Sequence, residues 1–145
     1  MVTMLTVVFV LSLGVIYHSQ NVEAQSTNAS SFSELFEKGN SLYDLGRYDE
    51  AITWYDKALE VDPKQVNALI NKGVTLAGLG RNEEAITWYD KALEINPEDV
   101  DVLTNKGLAL YNTGKKDDAF IWIDKALTID PTNQKILDVK SQLQG

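Results

Sequence analysis

From Leu35 onward the apolar positions fall on helical stripes. Leu35, Leu42 and Leu45 recur at the spacing of one helix face, and Gly46 follows as a stop. A second stripe, Ala51, Ile52, Tyr55, Ala58 and Leu59, has the same three-to-four spacing. It predicts a helix from about Tyr48 or Asp49 to Val61, ended by Asp62-Pro63 because proline disfavours helix at the residue before it. The pattern therefore describes two helices joined by a short turn.

This helix pair recurs along the chain. Glu50–Glu60 reads EAITWYDKALE, and Glu84–Glu94, 34 residues on, reads the same. Asp118–Thr128 gives DAFIWIDKALT at the same offset. Gly39, Gly73 and Gly107 keep step, as do Gly46, Gly80 and Gly114, and Pro63, Pro97 and Pro131. Chance does not place an identical block in register with so many spaced positions. Gly39 and Ala51, with almost no side chain, let the two helices of a pair approach closely. Tyr55 and Tyr89 would fill the wedge that opens beyond them, and Ile123 takes that place in the third copy. After the third copy, Ile136, Leu137, Val139 and Leu143 form one apolar side, and Lys135, Asp138, Lys140 and Gln142 keep the other wet. That predicts a solvating cap over 134–145.

The series Leu35…Gly39…Leu42…Tyr48…Ala51…Tyr55…Ala58…Pro63, recurring through Pro131, resembles the tetratricopeptide repeat. The resemblance covers Phe32–Asn133 as three units, 32–65, 66–99 and 100–133. It implies an all-α fold: a right-handed α-solenoid of antiparallel helix pairs. Asn82 and Lys116 depart from the pattern where unit one has Tyr48, which predicts a slightly looser turn inside units two and three.

The resemblance also implies a place for function. First helices in this family line a concave surface that grips extended peptides or partner helices. Carried over, that surface holds Phe36, Glu37, Asn40, Tyr43 and Asp44 in unit one, and Ile70, Asn71, Val74 and Ala77 in unit two. Unit three adds Thr104, Asn105, Leu108, Tyr111 and Asn112, and Lys135 and Asp138 close the far end. The expected ligand-binding set is Phe36, Asn40, Tyr43, Ile70, Asn71, Asn105, Leu108 and Tyr111. In some members an asparagine at the position of Asn71 and Asn105 hydrogen-bonds a peptide backbone, with an amide that both donates and accepts. Glu37 holds that position in unit one and does not inherit the role. The cationic clamp by which chaperone-binding members hold a terminal carboxylate is not assembled, because Glu37 and Asp44 put negative charge there. A neutral or basic protein or peptide partner suits the surface better than an acidic one.

The start of the chain has a different character. Residues 1–17 are almost wholly apolar and uncharged, short for a bilayer span, and Val22-Glu23-Ala24 fits a cleavage site. Residues 1–24 read as a secretory signal peptide or a retained membrane anchor. Residues 25–31 then read as a flexible linker, with a glycosylation sequon at Asn28. The protein is expected to be exported, either free or tethered by residues 1–17.

Composition narrows the chemistry. The 145 residues include no Cys and one His, so disulfides, thiol nucleophiles and multi-histidine metal sites are not expected. With 21 acidic and 13 basic residues the net charge is −8, which argues against binding a phosphate backbone. No cofactor is expected, and no enzymatic activity. Asp49-Glu50, Glu83-Glu84 and Asp117-Asp118 open second helices, where carboxylates suit the helix dipole. Asp56-Lys57 and its repeats read as a solvated face. Trp54, Trp88 and Trp122 form a ladder, expected to pack on the outer side between second helices, with a ligand-stacking platform as the alternative. Two functions follow: a groove-binding interaction module, or a self-assembling structural module that uses the repeat surface to form homo-oligomers.

Overall fold

The computed structural model describes residues 31–145, and every regular element among them is helical. Helix α1 takes in residues 31–44. It is followed by α2 (Tyr48–Val61), α3 (Val66–Gly78), α4 (Asn82–Ile95), α5 (Val100–Asn112), α6 (Lys116–Ile129) and α7 (Gln134–Gln144). The signal or anchor over residues 1–24, and the Asn28 sequon, lie outside the described residues. Among the described residues no helix is long and apolar enough to cross a membrane.

Each helix pair turns back on itself through one device. The chain leaves α1, α3 and α5 through Gly46, Gly80 and Gly114, at φ of 72°, 74° and 86°. That left-handed conformation costs a side chain energy and costs glycine little. It lets Gly46 N–H donate to Tyr43 O and Arg47 N–H to Leu42 O, both at 2.9 Å, so the last carbonyls of α1 are satisfied. The matching bonds at Gly80-Arg81 and Gly114-Lys115 measure 2.9–3.0 Å. The looser turn expected from Asn82 and Lys116 is therefore not seen. The backbone bonds fasten the turn, and the aromatic ring of Tyr48 plays no part in them.

Inside a pair the small residues act as expected. A Cβ on Gly39 would lie 2.5 Å from the Tyr55 ring, and one on Gly73 would lie 2.6 Å from the Tyr89 ring. On Gly107 it would meet Ile123 at 2.7 Å. Tyr55, Tyr89 and Ile123 are all 1% exposed or less. Pairs then stack, with α2 against α3, α4 against α5 and α6 against α7. First helices adjoin one another, as α3 and α5 do.

The stacking carries a polar staple absent from the sequence reading. Lys72 and Lys106 are 7% and 8% exposed. Each ammonium pairs with an aspartate of the preceding unit, Asp56 and Asp90 respectively. Each also sits over a tryptophan ring of its own unit, Trp88 at 3.7 Å and Trp122 at 3.5 Å. A cation that leaves water needs an anion or a π face, and here it has both. Asp56 and Asp90 thus join units rather than merely facing solvent. Lys140 on α7 repeats the contact with Asp124 at 2.6 Å, so α7 docks in the register of a first helix. Lys38, with no preceding unit among the described residues, stays exposed. Leu137 is 38% exposed, whereas its equivalents Leu69 and Leu103 are at most 2% exposed under the second helices of their own units.

Candidate functional site

The first-helix face holds two adjoining cavities that share Val74 as a wall. The one nearer α1, about 220 Å³, is lined by Tyr43, Tyr55, Asn71 and Val74. The other, about 260 Å³, lies among α3, α4 and α5, with Tyr89, Asn105 and Leu108 in its lining.

In the first cavity the polar groups satisfy one another. Asn40 Oδ1 accepts from Tyr55 Oη–H and from Asn71 Nδ2, both at 2.9 Å. Burial pushes the Tyr55 hydroxyl up to about 12. The Asn71 amide works against that shift, and Tyr43, Asp44 and Glu37 add to it. The hydroxyl therefore stays a protonated donor at any ordinary pH. Asn71, expected to meet a ligand backbone, is held by Asn40 across the unit boundary.

In the second cavity the equivalent groups are open. Residues 74, 89 and 105 correspond to 40, 55 and 71, and Val74 stands where the acceptor Asn40 was. Tyr89 Oη and the Asn105 amide make no hydrogen bond among the described residues. Burial raises the Tyr89 hydroxyl as well, so it too remains a donor. Asn82 donates from Nδ2 to Gly80 O at 3.1 Å. Its Oδ1 is buried without a partner among the described residues.

The remaining predicted residues take mixed roles. Phe36 stacks on Phe32 at 5.6 Å and meets Tyr55 as a tilted pair at 5.9 Å, and it packs against the core while half-buried. Ile70 likewise leans on the main core. Tyr43 packs on Tyr48 at 5.3 Å, and Tyr111 lies 5.0 Å from the Lys116 ammonium. Lys135 reaches Asp101 at 3.0 Å, which ties α7 to α5 at the far end of the surface. The tryptophans are half-buried under lysines: Lys57 covers Trp54 at 4.1 Å and Lys91 covers Trp88 at 3.8 Å. Among the described residues no cluster of three or more His, Asp or Glu side chains converges where it could hold a metal ion. Sequence reading missed Asn82 and Tyr89 as groove residues. The available signal was the exchange of Asn40 for Val74 at equivalent positions.

Two family models, each described as tetratricopeptide repeat, match residues 36–100 and 88–120. Residues 36–120 thus match tetratricopeptide repeat models. Solved tetratricopeptide domains share the fold of this chain. The domain of Arabidopsis OM64 is 20% identical with a TM-score of 0.76, over 81% of this chain and 97% of that one. The second such domain of human RPAP3, solved with an HSP70 peptide, is 20% identical with a TM-score of 0.74. That match covers 83% of this chain and 98% of the other. The first such domain of Spaghetti (RPAP3), bound to an HSP90 peptide, is 23% identical with a TM-score of 0.71, over 80% and 95%. Among curated proteins none matches the chain.

Proposed function

We propose that this protein is an exported protein–protein interaction module, an adaptor or assembly factor that holds a segment of a partner polypeptide across its first-helix face. The observation that carries the reading is the pair of adjoining cavities, where half-buried apolar side chains alternate with the amides of Asn71 and Asn105. Such a surface offers burial for side chains and hydrogen bonds for a main chain. Tetratricopeptide domains of the same fold have been solved with peptides bound, which supports the reading. Glu37 and Asp44 beside Tyr55 favour a neutral or basic segment over an acidic one. Export rests on the apolar run over 1–17, cut after Ala24 or kept as a tether. N-terminal sequencing of the protein from its native host distinguishes those two, and a cytoplasmic, uncut chain refutes export.

The test is capture of partners by the full chain and by Asn71→Ala/Asn105→Ala. The double variant is expected to lose them. If every captured protein binds the double variant as well as the wild type, the proposed contacts are wrong. Self-assembly is the second reading, favoured by the exposure of Leu137 and Ile129 near the last unit. A concentration-independent monomer by sedimentation refutes it.

A further inference from the structure

The same opening occurs twice on the first-helix face, 34 residues apart. Tyr43, Tyr55, Asn71 and Val74 line the first cavity, and their equivalents Ala77, Tyr89, Asn105 and Leu108 all line the second. Three of these four pairs keep their character. The fourth exchanges a tyrosine for an alanine, and the cavity grows from about 220 to about 260 Å³.

Nothing in unit two makes up for that exchange. In unit one the Tyr43 ring rests on Tyr48 at 5.3 Å, and in unit three the Tyr111 ring lies 5.0 Å from the Lys116 ammonium. Unit two has Asn82 where the others have Tyr48 and Lys116, and Asn82 lines the cavity with Ala77. Both side chains that could fill the gap are therefore short. Ala77, Val74 and Leu108 are only half-buried, so the gap is open to the groove. Pairing of the helices does not require it, because Gly73 closes on Tyr89 as Gly39 closes on Tyr55.

The charge of the face lies to one side of the gap. Glu37 and Asp44 on α1 are exposed and make no ion pair among the described residues. Their equivalents, Asn71 and Asn105, Gly78 and Asn112, are all uncharged.

We infer that the second cavity seats one tyrosine side chain of the partner segment, which supplies the ring that Ala77 lacks, and that a basic residue of the same segment lies over Glu37 and Asp44. Val74, Leu108 and Ala109 give the ring an apolar wall, and Asn105 and Asn112 in the same lining can pair with its hydroxyl. Packed helices lie ~8–10 Å apart, and an extended chain advances ~3.3 Å per residue, so the basic residue falls about three positions from the tyrosine. An acidic residue there would meet like charge. This inference rests on the groove-binding reading above and names the residues that the groove selects.

The probes are blocked tetrapeptides, Lys-Ala-Ala-Tyr and the reverse order Tyr-Ala-Ala-Lys, titrated into the full-length chain. Binding is read by NMR at the side-chain amides of Asn105 and Asn112. At low salt the better of the two orders is expected to bind about fivefold more tightly than the same peptide with leucine for tyrosine, and about tenfold more tightly than with alanine. Glutamate in place of its lysine is expected to cost about fivefold, an effect that fades as salt is added. Ala77→Tyr fills the gap from within and is expected to abolish the preference for tyrosine. The fold accepts tyrosine at the equivalent Tyr43 and Tyr111. Ala77→Ser leaves the gap open and keeps the preference, and Glu37→Gln/Asp44→Asn removes the preference for lysine alone. A leucine peptide that binds as tightly as the tyrosine one overturns the inference. So does a tyrosine preference that survives Ala77→Tyr, a glutamate peptide that binds as well as the lysine one, or no shift with any probe. Partners captured equally by Ala77→Tyr and by the wild type leave the interaction reading standing and sink this one. A tyrosine peptide that seats in the cavity, while Asn71→Ala/Asn105→Ala still captures every partner, supports the pocket and sinks the contacts proposed for the groove.

Discussion

Gly73→Ala is the sharpest perturbation of the helix pair. A Cβ there would lie 2.6 Å from Tyr89 Cε1, 2.9 Å from Cδ1 and 3.2 Å from Cζ. Tyr89 is 1% exposed and cannot swing away. Relief must come from moving α3 off α4, which loosens Leu69 and Leu76, the two buried leucines of α3. Overpacking of this kind costs ~1–3 kcal/mol, and more where the neighbour is a rigid ring. Alanine recovers up to ~1 kcal/mol of helix propensity, so the net loss should be about 2 kcal/mol. For an array of this size that lowers Tm by roughly 5–15 °C. Thermal and urea unfolding, followed by circular dichroism, measure it. Gly78→Ala in the same helix is the control: its Cβ meets only Tyr48 Cε2, at 4.0 Å, so it should be neutral or slightly stabilising. Repeating Gly73→Ala in a Tyr89→Leu background should shrink its cost, because the pair is coupled. If Gly73→Ala is as harmless as Gly78→Ala, the close approach of α3 and α4 does not depend on a bare glycine and the packing argument fails.

Two further outcomes follow from the buried polar groups. Asp56→Ala should cost about 1–2 kcal/mol in urea midpoints, since it strands the Lys72 ammonium, while Lys72→Met should stay within about 1 kcal/mol of wild type. Equal effects would show that the ion pair is ornamental. At alkaline pH the folded Tyr55 titrates near 12 against 10.0 for an unperturbed tyrosine. The folded state therefore holds a proton that the unfolded state has released. Stability from this group is intact below pH 10 and falls as pH rises to about 12, by on the order of 2 kcal/mol. Tyr55→Phe should flatten that part of the profile, and an unchanged slope counts against it.

The helices and their pairing were legible because each rests on local, periodic signals. The stripe of Ala51, Ile52, Tyr55, Ala58 and Leu59 became the buried face of α2 without exception. The glycine stops became turns with positive φ. The staples were not legible, because a lysine in a wet-looking position reads as surface until its partner 16 residues back is known to face it. The same gap hid the groove chemistry. Asn71 and Asn105 are identical in sequence and differ in the structure only because Asn40 pairs with one and Val74 cannot pair with the other. Asn82 was read as a weakness in a turn, and the backbone bonds removed that role and left its oxygen buried without a partner among the described residues.

Sameness and difference along the array divide by helix. The block Glu50–Glu60 returns unchanged at Glu84–Glu94, and glycine and lysine return at every packing position of the first helices. The positions that face the groove are not kept in all three units: 37, 71 and 105 are Glu, Asn and Asn; 40, 74 and 108 are Asn, Val and Leu; 43, 77 and 111 are Tyr, Ala and Tyr. If groove residues served stacking alone, one solution would serve each junction, as it does for the lysine staples. Three different solutions on one scaffold give the surface a direction, from a polar and acidic end at α1 to an apolar one at α5. A symmetric partner would find equivalent footholds along such a face. An asymmetric one, a single segment with a preferred polarity, would find one register.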